Sequence, residues 1–207
     1  TDDFERTDIS PWLAKLNGPG DVAIEDNELS ISTSEDVPNI ATLNFAESDA
    51  NFNFSIKFRN MPDSNFNLHG PFFKIGTNET NKWIGVKLFK EQVLHTMSNS
   101  FEAQSDDMYR WRIYINDQQI SSSSYGYYDA VWHTIRINKN ESSYDVYFDN
   151  ITLWSGLADN FDKVNYISVE NGKSTVGWQQ PTHIHYDDVE LLLNPESESR
   201  SFSWQTD

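Results

Sequence analysis

Residues 131–154 read VWHTIRINKNESSYDVYFDNITLW, and the alternation of their side chains decides the fold. Val131, His133, Ile135 and Ile137 fall on one face of an extended chain, and Trp132, Thr134 and Arg136 on the other. Successive side chains of a strand point to opposite faces, so such a segment buries one side and wets the other. Lys139–Ser143 interrupts the pattern, and Tyr144–Phe148 resumes it, Val146 and Phe148 alternating with Tyr147. Asp149-Asn150 then turns the chain into Ile151–Trp154. Asn and Asp tolerate the backbone angles of tight turns, so the stretch predicts two successive hairpins.

The same period extends outward. Phe54, Ile56 and Phe58 alternate with Asn53, Ser55, Lys57 and Arg59, and Trp111, Ile113 and Ile115 with Arg110, Arg112 and Tyr114. Val22–Ile24 and Glu28–Ser32 flank the turn pair Asp26-Asn27, and Asn116-Asp117 turns the chain after Ile115. Ala41–Phe45, Phe72–Ile75, Lys82–Phe89, Gln92–Met97, Asn165–Glu170 and Ile184–Leu193 complete a set of about a dozen short strands. One segment suits a helix: Ile9–Leu16, with Ser10 before it, Pro11 in its first turn and Gly18-Pro19-Gly20 as its stop. Parallel sheets need long crossover connections, usually helices, and the sequence offers none. The prediction is therefore an all-β, antiparallel β-sandwich or barrel over residues 1–193, with residues 194–207 as a Ser/Glu-rich tail or linker. Ser121–Ser124 reads as a loop, and Trp111, Trp132, Phe54 and Phe148 read as core by their size.

Hydrophobic residues make up 37% of the 207, which is low, but aromatic residues reach 14% and large rings supply the missing buried area. The net charge of −17 repels nucleic-acid phosphates and anionic membranes, leaving neutral glycans, divalent cations and basic partners. An ordinary solvated acidic surface explains the same charge. No cysteine is present, which excludes disulfides and thiolate metal sites. No apolar run is long enough to cross a membrane as a helix. A start at Thr1 rather than Met is what a mature or trimmed chain would show.

Three stretches carry a family resemblance. The opening Asp2-Asp3-Phe4-Glu5, the stretch 131–154 with its "WHTIRI" and "VYFDN", and the closing Ile184–Leu192, IHYDDVELL, resemble in order and spacing the concanavalin A-like, laminin-G-like jelly-roll domains. The match departs at Asp149-Asn150, where those domains commonly carry Asp-Gly. The resemblance implies a two-sheet antiparallel β-sandwich of the jelly-roll type, and an extracellular or cell-surface recognition module. It also implies a structural Ca²⁺ between the opening and closing strands, which transfers to Glu5 and Asp188, with Asp3 as a third carboxylate. Ca²⁺ takes six to eight hard oxygen ligands, so carboxylates suit it; the plain alternative is that these acids only flank strand ends.

For ligands, sugars stack their C–H faces on aromatic rings and need polar side chains for their hydroxyls. Tyr125, Tyr127, Tyr128 and Asp129 form one candidate platform, and Trp178 and Gln180 with His183 a second. Ordinary surface packing accounts equally for such loops.

Catalytic signatures are weak. Glycosidases resembling this fold carry Glu-x-Asp-x-x-Glu on one strand; Tyr186–Glu190, YDDVE, has the wrong spacing. Alginate-type lyases carry a Gln-Ile-His strand, echoed in part by Thr182-His183-Ile184-His185-Tyr186, with His185 and Tyr186 as a base and acid pair. His183 and His185 share a strand face, so a transition-metal pair fits, though neither clustered His nor Cys accompanies them in sequence. Glycosylation triplets start at Asn53, Asn78, Asn140 and Asn150, and an Asn-rich chain also produces them by chance.

The expected function is a non-catalytic extracellular carbohydrate-binding or adhesion module of a larger secreted or surface protein. Its partners are a glycan or glycoprotein and neighbouring domains reached through the tail, with no nucleic acid and no membrane insertion. The alternatives are a lyase-like polysaccharide-active enzyme and a structural domain of a surface array or virion.

Overall fold

The computed structural model describes residues 1–33, 38–49, 51–60, 71–95, 104–127, 130–158, 161–171 and 182–194, and in parts of its long strands the backbone alone. Among the described residues fourteen strands follow one another: β1 (Leu13–Lys15), β2 (Val22–Glu25), β3 (Glu28–Thr33), β4 (Ile40–Asp49), β5 (Phe52–Asn60), β6 (Phe72–Thr77), β7 (Lys82–His95), β8 (Gln104–Ile115), β9 (Gln118–Tyr127), β10 (His133–Asn140), β11 (Ser143–Phe148), β12 (Ile151–Leu157), β13 (Lys163–Glu170) and β14 (Thr182–Leu193). They build two seven-stranded sheets, ordered β1-β4-β13-β6-β7-β8-β9 and β12-β11-β10-β5-β14-β3-β2. Every pairing is antiparallel. The molecule is a two-sheet β-sandwich, one of the two forms the alternation predicts.

Tight turns sit where the Asn and Asp pairs predict them. Asp26-Asn27 and Asn116-Asp117 adopt positive φ at both positions, the geometry of two-residue hairpin turns whose twist matches the flanking strands. Asp149 also has positive φ, and its carboxylate accepts the Thr134 amide and contacts His133 Nδ1, fixing the β11–β12 turn against β10.

Inward-facing residues follow period 2. Phe54, Ile56 and Phe58 of β5, Ile135 and Ile137 of β10, Val146 and Phe148 of β11, and Ile184 and Tyr186 of β14 are buried, and they meet Phe73, Ile75, Ile84, Val86, Leu88, Trp111 and Ile113 of the first sheet. A line of rings crosses the core: Trp111 lies 4.5 Å from Phe148, Phe148 4.7 Å from His133, His133 5.9 Å from Phe58, Phe58 5.4 Å from Phe73, and Phe73 6.0 Å from Tyr186.

Three local readings are corrected. Ile9–Leu16 forms no helix; Leu13–Lys15 instead pairs with Thr42, Ala41 and Ile40 of β4, because a segment this short gains more from a sheet ladder than from one isolated turn. Ser121–Ser124 is not a loop. It pairs with Ile113, Arg112, Trp111 and Arg110 inside β9, since backbone pairing and neighbours outweigh the weak strand preference of serine. Trp132 is not core. It keeps to the face of Thr134 and Arg136, outside the sandwich, where the Arg59 guanidinium stacks 4.8 Å from its ring.

The chain start is tied to its end. Asp2 and Val189 exchange backbone hydrogen bonds of 2.7 and 2.8 Å, placing residues 1–6 beside β14. Asn194 N donates to the Asn51 carbonyl. Residues 195–207, which hold most of the expected tail, lie outside the described residues.

Candidate functional site

On the outer face of the first sheet the pairing registers fix a grid of side chains. Glu170, Phe72, Lys87 and Arg112 form one row across β13, β6, β7 and β8. Ser168, Lys74, Gly85 and Tyr114 form the next, and Tyr166, Gly76 and Trp83 the third. Phe72 meets Trp83 edge-on at 5.6 Å and Tyr114 at 5.8 Å. Lys74 lies over both the Phe72 and Trp83 rings and is ion-paired to Glu170. Trp83 is only 5% exposed and forms the floor, while Phe72 and Tyr114 are half-buried, and the Lys87 ammonium also stands 5.6 Å from the Phe72 ring centroid. Burial pushes the Tyr166 hydroxyl up to about 12, so it stays a neutral hydrogen-bonding group.

A glycine makes room for this floor. A methyl group at Gly85 would stand 2.7 Å from Phe72 Cε2, 2.8 Å from the Phe73 carbonyl oxygen and 2.9 Å from Trp83 Cζ3. Gly85→Ala is expected to cost about 1–2 kcal/mol by overpacking. It should also change the Trp83 emission in fluorescence; an unchanged spectrum and an unchanged denaturation midpoint would show that the rings do not close over Gly85.

A second polar constellation lies on the outer face of the other sheet. The Asp26-Asn27 turn folds β2 against β3, and β14 pairs beside β3. Alternation turns Ile184 and Tyr186 inward, so His183 and His185 point out beside Glu25, Glu28 and Ser30. His185 Nδ1 lies 2.5 Å from Glu28 Oε2, and Arg59 Nη2 donates to both Glu28 oxygens, at 2.7 and 2.8 Å. His183 Nε2 stands 3.0 Å from His185 Nε2 and 2.8 Å from Ser30 Oγ. Burial holds the His185 imidazole below its ordinary range, with the Glu28 bond acting against that shift.

Between the chain start and β14 lies a hollow of about 300 Å³ lined by Thr1, Asp2, Asp3, Ser55, Lys57, Thr134, Asp188 and Glu190. Asp2 is held by Arg6 and by the Trp12 indole N–H. Asp188 is ion-paired to Lys57, on the stretch where β14 shifts register against β5.

Of the expected calcium ligands, Asp3 and Asp188 share this hollow, and Glu5 is exposed and not among its lining residues. Among the described residues the one cluster of three His or carboxylate ligands is Glu25, His183 and His185. Tyr125 and Tyr127 belong to β9, the edge strand of the first sheet, where the backbone alone is described. Tyr128, Asp129, Trp178 and Gln180 lie outside the described residues. The base and acid pair His185 and Tyr186 is not formed: neighbours on a strand point to opposite faces, and Tyr186 is fully buried, its hydroxyl 3.4 Å from the Glu170 carbonyl. Sequence reading missed Phe72, Trp83 and Tyr114 as a site; the one signal in the chain was the phase of Tyr114, opposite to Trp111, Ile113 and Ile115.

No family model and no curated protein sequence matches the chain. In fold it is similar to a functionally unknown protein from Saccharomyces cerevisiae, at 12% identity and a TM-score of 0.59, covering 90% of this chain and 98% of that one. It is similar to the carbohydrate recognition domain of Emp47p, at 14% identity and a TM-score of 0.58, covering 92% and 93%. It is also similar to an immunostimulatory antigen and pseudo beta-1,3-glucanase of Mycobacterium tuberculosis, at 10% identity and a TM-score of 0.58, covering 93% and 97%. At these identities the likeness establishes the fold, a β-sandwich compatible with the concanavalin A-like class.

Proposed function

We propose that the chain is a laminin-G-like, non-catalytic carbohydrate-binding or adhesion module working at the cell surface or outside the cell, and that a glycan lies across the outer face of the first sheet. One observation carries this reading: Phe72, Trp83 and Tyr114 gather on a single outward face with Lys74, Ser168, Glu170 and Arg112 around them. Rings supply the apolar platform that a sugar's C–H face requires, and the polar rim supplies partners for its hydroxyls. β9 continues the same sheet, which brings the strand carrying Tyr125 and Tyr127 to the border of this face. The carbohydrate-recognition and glucanase-like fold neighbours agree with the reading.

A glycan array with the full chain, read together with an absorbance assay for unsaturated lyase product, tests it. Binding without turnover is the expected result. Phe72→Ala and Tyr114→Ala should each weaken binding by about 3- to 10-fold, the worth of one stacked ring. Release of unsaturated product overturns the non-catalytic reading, and binding untouched by both variants overturns the platform.

A structural Ca²⁺ is proposed at the hollow of Asp3 and Asp188, where Glu190 adds a carboxylate and Lys57 has to release Asp188. Melting in excess calcium and then in a calcium chelator decides it: a raised midpoint with calcium is expected, and identical midpoints remove the ion.

A further inference from the structure

We propose that Glu25, His183 and His185 form a transition-metal site of the Zn²⁺ type on the outer face of the second sheet. Distances among the three ligand atoms carry the proposal. His183 Nε2 and His185 Nε2 are 3.0 Å apart, and Glu25 Oε2 lies 3.5 Å from the first and 3.7 Å from the second. Tetrahedral Zn²⁺ bound by nitrogen and oxygen at about 2.0–2.1 Å keeps its donor atoms about 3.3–3.4 Å apart, so the triangle already has the size of one face of that tetrahedron. A single point about 2.1 Å from all three atoms lies off their plane, which leaves the fourth position facing away from them.

The surroundings orient these atoms. A carboxylate only accepts hydrogen bonds, so the Glu28 contact places the His185 proton on Nδ1 and turns the Nε2 lone pair toward Glu25 and His183. Metal-bound histidines commonly have such a carboxylate behind them, fixing the ring and raising its basicity as a ligand. Glu28 is itself fixed by Arg59, whose guanidinium is stacked on Trp132. The chain of contacts Trp132, Arg59, Glu28, His185 is therefore a rigid backing on three strands and the lead-in to β10, and His185 is 3% exposed at its side chain. Glu25 and His183 are the accessible ligands, 49% and 24% exposed, through which an ion can enter. Without metal, His183 Nε2 shares hydrogen bonds with His185 and Ser30. Coordination through His183 Nε2 would replace both.

Donor chemistry selects the ion class. Imidazole favours zinc and its first-row neighbours over calcium and magnesium, which take oxygen donors. Two imidazoles and one carboxylate are a recurrent zinc set that keeps a position open for water or an exogenous ligand. The site lies on the side of the sandwich opposite the aromatic grid, so it stands or falls separately from glycan binding.

The test titrates the full chain, stripped with chelator and exchanged into buffer, with Zn²⁺ by calorimetry and with Co²⁺ by visible absorption. One ion per chain is expected, with the intense visible bands of tetrahedral cobalt. His183→Ala and Glu25→Gln should each weaken binding by at least 10-fold, and Glu28→Gln by about 10- to 100-fold with the stoichiometry kept. Glu25 and His183 are exposed enough for the metal-free variants to melt as the parent does, which checks that they fold. A chain that takes up no zinc, or zinc binding that both His183→Ala and Glu25→Gln leave unchanged, overturns the assignment.

Discussion

Trp111→Ala should destabilise the domain by about 3–5 kcal/mol, the usual cost of removing a large buried ring and leaving a cavity behind it. Trp111 is fully buried between the sheets, and its ring lies 4.5 Å from Phe148 of the opposite sheet. Phe148 in turn touches His133, which leans on Phe58, so the loss opens one end of the line of rings that joins the two layers. Chemical denaturation followed by far-UV circular dichroism measures it as a shift of the midpoint. Trp132→Ala is the internal control. It removes a ring of the same size from outside the sandwich, where the Arg59 guanidinium stacks on it, and the expected cost is about 1 kcal/mol. Equal losses in the two variants would contradict the placement of these residues.

Lys139→Met should instead stabilise the protein near neutral pH. Lys139 is 3% exposed, on the inward face of β10, with its ammonium 5.6 Å from the Tyr144 ring centroid and 5.4 Å from that of Phe161. Burial lowers its pKa from 10.5 to about 8, with Asp162 and Glu141 pulling the other way. At pH 7 both folded and unfolded chains hold the proton, and the folded chain bears the cost of a charge in a poorly solvated place. Between about 8 and 10.5 the folded chain has released the proton while the unfolded chain keeps it, so the sign of the linkage follows: the unfolded chain binds more protons, and stability rises with pH across that window. A displacement of this size corresponds to about 3 kcal/mol in the limit. Methionine forgoes the attraction between the ammonium and the two rings, which brings the expected gain to about 2 kcal/mol at pH 7. Denaturation at pH 7 and again at pH 10 measures the difference. The gain should shrink markedly at the higher pH, where the native lysine is already neutral; a gain independent of pH would show that the charge is not the cause.

Much of the architecture was legible because β5, β8, β10 and β11 each show one face of oil and one of water. The stretch 131–154 held both of its hairpins in plain view, and Trp132 illustrates how far alternation can be pushed. Its size suggested core, but its phase placed it with Thr134 and Arg136, and phase prevailed because register is set by the whole strand rather than by one side chain. Phase fails where both faces carry apolar groups. Phe72 and Phe73, or Trp83 and Ile84, are adjacent and point to opposite sides, and sequence does not say which member of each pair is outward. Phe72 and Trp83 were illegible for that reason, although the phase of Tyr114 was plain. The histidine cluster was half legible. Two histidines two apart on a strand announce a shared face, but Glu28 stands 157 residues before His185, and only the pairing of β14 with β3 brings the β2–β3 hairpin to them. Ser121–Ser124 went the other way: side chains that usually mark loops were held in a strand by the neighbour β8.

The order of strands carries a kinetic consequence. β13 lies between β4 and β6, and β14 lies between β3 and β5, so a late segment of the chain occupies the interior of each sheet. Until those segments have been synthesised and docked, β3, β4, β5 and β6 each lack a neighbour and expose open backbone donors and acceptors. Contacts of such high sequence separation pay their loop-closure entropy before they return any stabilisation, which places folding in the milliseconds-to-seconds range typical of β-sandwiches. A nascent chain stalled before β13 is for the same reason the species most exposed to mispairing with a second molecule.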